Sequence, residues 1–207
     1  MTSCWTIPKI PSCLPLMTVL PKSTSCLLFL LLLVELPVLA MSRPTPVRHH
    51  KDGLTKLFQK MLRLINIVQG VMHHLDTSLP FEHSLTSLPT LNFRPKDLAA
   101  VKANSTLSQL SSGLHSFKLH FDWLLYWQNQ SGLVSNKVKE ISDQIQSISI
   151  LQQRLTDSPA QGTVLSLPPL KTAWDIYQTS AEIHKRLLAF CNWYLRALRV
   201  LIYYANN

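Results

Sequence analysis

The chain has 207 residues, of which 20 are lysine or arginine and 11 are aspartate or glutamate, and its formal net charge is +9. This basic balance favours acidic partners such as receptor surfaces and sulfated glycans. Nucleic acid is not expected as a partner, because the basic residues are dispersed along the chain instead of clustered in one patch.

The first forty residues have the layout of a secretory signal peptide. A lysine-bearing start is followed by an unbroken apolar run over residues 26–34, which Glu35 interrupts. A membrane-spanning helix needs about 20 apolar residues, so this run is too short to be an anchor. We therefore expect residues 1–40 to be removed, with Ser42 as the alternative cleavage point, and residues 41–207 to be secreted without membrane insertion.

Cys191 is the one cysteine of four that lies outside this predicted signal peptide. The secreted domain can then form no intramolecular disulfide, so packing alone must hold its fold. Cys191 lies on the apolar face of a predicted helix, where a buried hydrophobic role is more common than a reactive one. We expect a buried, reduced thiol and a monomeric product.

Four segments of the expected secreted domain contain apolar residues at alternating steps of three and four, the spacing of one stripe on an α-helix. The first helix is predicted at about 52–75, with Asp52 as its N-cap. The second helix is predicted at about 105–129, with Asn104 or Ser105 as its N-cap.

The third helix is predicted at about 136–156 and the fourth at about 172–204. Thr172 and Asp175 have the spacing of a capping box at the start of the fourth helix. His184 falls on the apolar stripe of that helix, where a core histidine is more common than a metal ligand. The stripe is predicted to contain Trp174, Tyr177, Ala181, Leu188, Cys191, Leu195, Leu198 and Ile202.

The lengths of the connections predict how the helices are arranged. About six residues, 130–135, join the second and third helices, which must therefore be antiparallel neighbours. The first and third connections are far longer and contain prolines, which argues against a missed helix. About fifteen extended residues reach roughly 50 Å, whereas a helix of about 22 residues is roughly 33 Å long, so each long connection can run the length of a bundle. The sequence therefore predicts an all-α four-helix bundle with the up-up-down-down topology of long-chain cytokines.

The sequence carries none of the patterns that are associated with catalysis or metal binding. Its carboxylates are spread singly over helices and loops, whereas general acid–base catalysis needs two groups that converge on one pocket. Adjacent histidines, as at His49 and His50 or at His73 and His74, point about 100° apart on a helix and cannot share a metal unaided. We therefore expect no enzymatic activity, no metal site and no cofactor.

Two N-glycosylation sequons flank the predicted second helix, with Asn104 and Asn129 as the acceptor asparagines. Sequons also arise by chance, so both are candidate sites only. An occupied site would prevent partner contact at that corner of the bundle.

The first long connection contains Ser87-Leu88-Pro89-Thr90-Leu91, which is similar to the S-L-P-T-L that the interleukin-11 family carries at the same place. The second helix contains Leu107-Ser108-Gln109-Leu110 followed by His120 and Trp123, and the fourth contains Ala173-Trp174 and then W-x-x-R at residues 193–196. The resemblance covers this connection and these two helices well, and the other two helices only by their pattern.

The resemblance implies a secreted cytokine that signals without catalysis. A specific receptor alpha chain would bind first, and the shared transducer glycoprotein 130 would then be recruited to start JAK/STAT-type signalling. The family uses three surfaces: the end of the fourth helix with the late first connection, the first helix with the third, and the start of the fourth helix. In this chain, the resemblance implies that the specific receptor contacts Arg196, Arg199 and Phe93. One transducer would contact Lys56, Lys60 and Arg63, and the other would contact Trp174.

Other interpretations stay open. Trp174 could be a core residue, because it lies on the predicted apolar stripe. Arg199 could merely favour the carboxyl end of a helix through the helix dipole. Lys56, Lys60 and Arg63 could form an ordinary solvated face. The whole chain could also be another interleukin-6-type cytokine, or a lipid-binding amphipathic bundle, which its few glutamates and its lack of repeats disfavour.

Overall fold

The computed structural model describes residues 46–75, 85–90, 94–156 and 166–205. All of them belong to one unit of the chain, residues 45–207. The predicted signal peptide with its cleavage point, and the predicted receptor contact Phe93, lie outside the described residues.

The described part of the chain is all-α, as predicted, and contains no strand. Its α-helices are α1 at Pro46–Met72, α2 at Ala103–Gln130, α3 at Asn136–Thr156 and α4 at Ala173–Tyr204. A short 3-10 helix, Pro95–Ala100, precedes α2, and the apolar pattern does not predict it. Its start is stabilised by the Asp97 carboxylate, which accepts a hydrogen bond of 2.7 Å from the Arg94 backbone N–H. No helix in the described part has an apolar stretch of the length that a bilayer requires.

Helix α1 begins earlier than its apolar pattern predicts, and the prediction of Asp52 as its N-cap is wrong. The helix starts at Pro46, and Asp52 is an exposed residue in its interior. A proline is well suited to the first helical position, because its missing N–H would have no intrahelical partner there anyway. The helix ends at Met72, short of the predicted residue 75.

The predicted N-cap of α2 is also wrong. Asn104 and Ser105 lie inside the first turn, and the N-cap position is occupied by Lys102, whose side chain makes no capping hydrogen bond. The Ser105 hydroxyl instead donates to the Lys102 carbonyl at 3.2 Å, a local bond typical of serine beside a helical backbone.

Helix α4 begins with the capping box that its sequence predicts. The Asp175 N–H donates to Thr172 Oγ1 at 3.0 Å, and the Thr172 N–H donates to the Asp175 carboxylate at 2.9 Å. Both free N–H groups are thereby satisfied, which fixes the first turn of the helix.

Helices α2 and α3 are antiparallel neighbours. Near the start of α2, the Leu107 carbonyl accepts a hydrogen bond of 3.1 Å from Gln152 in the last part of α3. Nearer the end of α2, Asp122 accepts one of 2.7 Å from Ser142 in the first part of α3. The contacts therefore run in opposite directions along the two helices, as the short link between them requires.

Helices α2 and α4 are also antiparallel and approach each other closely. Phe117 lies against Phe190, with ring centroids 5.2 Å apart. Phe121, one turn later in α2, lies against His184, earlier in α4, with ring centroids 5.1 Å apart. Gly113 permits the close approach, because a Cβ at this position would lie 2.3 Å from the Phe190 ring.

Contacts between α1 and α3 run in opposite directions as well. Gly53, near the start of α1, lies beside Leu155, near the end of α3, where an added Cβ would be 2.2 Å from the leucine side chain. Further along α1, Lys60 donates from Nζ to Ser147 Oγ at 2.5 Å. Helix α1 also packs against α4. These contact pairs agree with the up-up-down-down order, which stays a prediction.

One hydrophobic core receives side chains from all four helices and from Leu85 and Leu88 of the first connection. Ala181, Cys191 and Leu198 of α4 are buried as predicted. The rest of its buried face is displaced from the predicted stripe and includes Ile176, Ile183, Leu187, Phe190, Tyr194 and Leu201. The predicted stripe residues Tyr177, Leu188, Leu195 and Ile202 are only half-buried. Helix α4 packs against both α1 and α2 and is apolar on several sides, so spacing alone does not select its buried face.

Candidate functional site

Trp174 lies in the first turn of α4 with 51% of its surface exposed. Its ring stacks on Tyr177, with ring centroids 5.7 Å apart and an angle of 16° between the planes. This exposure excludes the core position that its place on the apolar stripe allowed. Because tryptophan is among the commonest energetic anchors of protein interfaces, Trp174 is a candidate contact residue.

The chain that precedes α4 is fixed to the bundle at two points. Leu170 is buried in the core. The indole N–H of Trp123 on α2 donates to the Pro168 carbonyl at 3.2 Å. Together with the capping box of α4, these contacts hold the start of the helix, so Trp174 projects from a rigid support.

Arg196 and Arg199 are both exposed on α4. Their surroundings differ. Arg199 Cζ lies 5.8 Å from the ring centroid of Phe58 on α1, which is a cation–π contact. The sequence predicts Arg199 as a receptor contact or as a residue that favours the carboxyl end of a helix, and neither interpretation includes this contact. Arg196 is exposed and has no hydrogen bond or ion pair with the residues that the structure describes.

These arginines belong to an exposed stripe along α4. Lys185, Ala189, Arg196, Arg199 and Tyr203 follow one another at steps of 4, 7, 3 and 4 residues, which keeps them on one side of the helix. The stripe combines three positive charges with Tyr203, which is 62% exposed. Such a surface is complementary to an acidic partner.

The three basic residues predicted as a contact on α1 do not share one environment. Lys60 is half-buried at the junction with α3, where it donates to Ser147 and its carbonyl accepts a hydrogen bond of 3.4 Å from Gln144 Nε2. Lys56 and Arg63 are exposed. Lys60 therefore helps to join the two helices, and it is not part of a merely solvated face.

The sequence does not reveal that residues 85–90, called the docked segment below, pack on α2 and α4. Leu85 and Leu88 are buried in the core. Arg186 on α4 donates from Nη1 to the Leu85 carbonyl at 3.0 Å, and its Nε donates to Glu182 at 2.6 Å. The docked segment is thus held by apolar contacts and by a charged side chain.

His120 on α2 also holds the docked segment. Its Nε2 accepts a hydrogen bond of 2.9 Å from the Ser87 hydroxyl, and its Nδ1 donates to the Ser116 carbonyl at 2.7 Å. Ser116 Oγ in turn donates to the Ser87 carbonyl at 2.8 Å. Burial lowers the pKa of His120, the hydrogen bond to Ser116 raises it in part, and Arg186 lowers it further. The family motifs include Ser87 and His120, but their separation of 33 residues gives no sign that they touch.

An open groove of about 490 Å³ lies between the docked segment and the two helices. Phe190 and Tyr194 of α4 line it with aromatic rings, and Gln109, Ser112 and Ser116 of α2 line it with polar groups. Burial raises the pKa of Tyr194 to about 12, so its phenol stays protonated at neutral pH. Within the described ranges no cluster of three possible metal ligands occurs.

His184 and Cys191 are fully buried residues of α4. Burial lowers the pKa of His184 to about 4, although its Nδ1 donates to the Ser180 carbonyl at 2.6 Å. Its Nε2 is buried without a partner among the described residues, so this core histidine is satisfied at one nitrogen only. Cys191 is a free, buried cysteine as predicted, and burial raises the pKa of its thiol, which keeps the sulfur protonated and unreactive.

The two candidate glycosylation sites are exposed at opposite ends of α2. Asn104 lies in the first turn of the helix and Asn129 in the last. Solvent exposure is what a glycan requires, and the occupancy of both sites stays a prediction.

The model of the family described as Interleukin 11 matches residues 40–203 of the chain. This match covers nearly the whole length of all four helices, including α1 and α3, which carry none of the short motifs. No curated protein and no solved structure matches the chain significantly.

Proposed function

Because the chain belongs to the Interleukin 11 family of helical cytokines, we propose that it is secreted and signals by bridging receptors. It binds a specific receptor alpha chain first, and the pair then recruits a glycoprotein 130-type transducer to start JAK/STAT-type signalling. The chain supplies contact surfaces and no catalytic group. The predicted signal peptide at residues 1–40 supports secretion.

The exposure of Trp174 is the observation that carries this proposal. Fully burying a large apolar side chain stabilises a complex by about 1.5–3 kcal/mol relative to leaving it in water. A half-exposed tryptophan on the rigid first turn of a helix is therefore typical of a residue that a partner covers. In the proposed complex, Trp174 is the anchor for a transducer chain.

Arg196 is the proposed main contact with the specific receptor, with Arg199 and Phe93 beside it. A guanidinium group binds carboxylates through two parallel hydrogen bonds, which suits an acidic receptor surface. The net charge of +9 also favours such a surface. Arg199 is partly committed to Phe58 and contributes less.

The junction of α1 and α3 is the proposed contact with another transducer chain. Lys56 and Arg63 are exposed on α1, and the hydrogen bond from Lys60 to Ser147 joins the two helices at this place. The two helices therefore form one continuous surface that a single partner can cover.

Stepwise binding to purified receptor ectodomains tests the proposal. The mature protein is bound to immobilised alpha-chain ectodomains of interleukin-6-type receptors, and the glycoprotein 130 ectodomain is then added. We expect the transducer to bind the preformed pair and not the free cytokine. Tyr126→Ala, which removes a 55% exposed aromatic side chain outside the proposed surfaces, should behave like the wild type. Binding to liposomes with no binding to any alpha chain would instead favour the lipid-binding alternative.

A further inference from the structure

The neutral His120 ring can form a hydrogen bond with each of its two partners, the Ser116 carbonyl and the Ser87 hydroxyl. A carbonyl oxygen can only accept, so Nδ1 carries the ring proton that is donated to Ser116. Nε2 is therefore unprotonated and accepts from the Ser87 hydroxyl. The side chain is completely buried, with 0% of its surface exposed.

A second proton on this ring would disturb the arrangement in two ways. Nε2 would become a donor, so the Ser87 hydroxyl would have to turn around and would lose its acceptor. A positive charge would also be buried beside the Arg186 guanidinium, which already disfavours the charged form of His120. Both effects weaken the attachment of the docked segment.

The other ionisable groups nearby do not offset the unfavourable free energy of protonating His120. On α4, the carboxylate of Glu182 is already paired with Arg186 at 2.6 Å. On α2, Lys118 and Asp122 pair with each other. The docked segment carries no titratable side chain. The phenol of Tyr194 in the adjoining groove stays neutral.

We propose that protonation of His120 releases the docked segment from α2 and α4, so that residues 85–90 are docked at neutral pH and released in acid. In the released state His120 is exposed and has an ordinary pKa of about 6.5. Burial lowers its pKa in the docked state. Docking therefore has its full stability above about pH 6.5 and loses stability as the pH falls below that value.

The size of the effect follows from the proton uptake of the released state. Between pH 7.4 and pH 5.5, the ratio of docked to released segment falls by up to about tenfold. Histidine-based switches in proteins that enter acidified compartments work in this range of pH. His120 thereby becomes a positioning residue for the first connection, with an effect that depends on pH.

Hydrogen exchange measured by mass spectrometry tests the release directly. Peptides that cover residues 85–90 are compared at pH 7.4 and pH 5.5, after correction for the pH dependence of chemical exchange. In the wild type we expect protection to fall by up to about tenfold in acid. In His120→Gln, whose side-chain carbonyl can accept from Ser87 but does not titrate, protection should be similar at both pH values. The control His74→Gln, at an exposed position, should behave like the wild type.

Equal protection of the wild-type segment at both pH values would overturn the proposal, and so would an undiminished acid effect in His120→Gln. If His120→Gln does not fold, an NMR titration of the wild type tests the proposal instead. The Leu88 methyl signals should then move toward random-coil positions with the same midpoint as the His120 ring, and static methyl signals would contradict the proposal. No receptor takes part in these measurements, so their failure would leave the receptor-bridging proposal untouched.

Discussion

The guanidinium of Arg199 lies over the ring of Phe58, with Cζ 5.8 Å from the ring centroid, and so joins the end of α4 to α1. Arg196, one turn earlier on the same side of α4, has no hydrogen bond or ion pair in the described part of the chain. Two arginines that look equivalent in the sequence therefore have different surroundings.

This difference predicts different effects of two alanine substitutions. Arg196→Ala should weaken binding to the specific receptor about tenfold or more, as expected of an interface arginine, and should leave the melting temperature unchanged. Arg199→Ala should destabilise the fold by about 0.5–1 kcal/mol through the lost contact with Phe58. Surface plasmon resonance and thermal melting measure the two effects, with Lys51→Ala, at an exposed position of α1 outside the stripe, as the control for a lost charge. An unchanged affinity in Arg196→Ala would show that this residue is no receptor contact.

Trp174→Ala should separate receptor binding from signalling. The substitution removes a half-exposed ring, so the melting temperature and the affinity for the specific receptor should stay close to the wild-type values. Recruitment of the transducer should be lost, which makes the variant a competitive antagonist in a receptor-activation assay. A core tryptophan would instead cost about 3–5 kcal/mol of stability, and a melting temperature lowered to that extent would falsify the interface assignment.

Gly113→Ala should destabilise the bundle by about 1–3 kcal/mol, the usual cost of overpacking. The added Cβ would lie 2.3 Å from the Phe190 ring, which is confined by Phe117 at 5.2 Å and by Tyr194 at 4.5 Å between ring centroids. Gly70→Ala in α1 is the matched control, because no atom lies within 4 Å of its added Cβ. It should stabilise the protein by about 0.5–1 kcal/mol through helix propensity. Urea unfolding measures both values, and equal effects of the two substitutions would contradict the close approach of α2 and α4.

The buried His184 should make the stability of the fold depend on pH. Burial lowers its pKa to about 4, whereas the unfolded chain takes up the proton near pH 6.5. The neutral ring therefore contributes its full stabilisation to the free energy of unfolding above about pH 6.5. This stabilisation, about 3 kcal/mol in total, is lost as the pH falls toward 4.

His184→Leu should reduce this acid sensitivity. Leucine removes the unpartnered Nε2 and keeps an apolar contact with Phe121, so the variant should be about as stable as the wild type at pH 7.5. Its free energy of unfolding should exceed that of the wild type at pH 4.5. Urea unfolding at the two pH values measures the difference, with His73→Leu at an exposed position as the control. A pH dependence identical to that of the wild type would show that His184 is not the responsible group.

The start of α4 could be predicted because its signal is local. Thr172 and Asp175 are three residues apart, so the pattern names both partners of the hydrogen bonds. The same kind of signal is misleading at Asp52 and Asn104, which are residue types favoured at N-caps but lie inside helices that start earlier. Several neighbouring residues can begin a helix, and composition alone does not decide between them.

The candidate contact residues could be recognised only in part. The family motifs favour Trp174 as a contact residue, but its place on an apolar stripe also permits a core position, and the structure shows that it is exposed. Periodicity identifies a helix with an apolar side, whereas the face that is buried depends on which helices pack against it.

The all-α class and the four helices could be predicted from local sequence, because the spacing of apolar residues within a few turns favours a helix whatever lies elsewhere in the chain. Three features depend instead on tertiary packing: the face of α4 that is buried, the contact between Arg199 and Phe58, and the hydrogen bond between His120 and Ser87. The partners in each of these contacts lie far apart in the chain. They meet only through the packing of the whole core, which no pattern inside a single segment specifies.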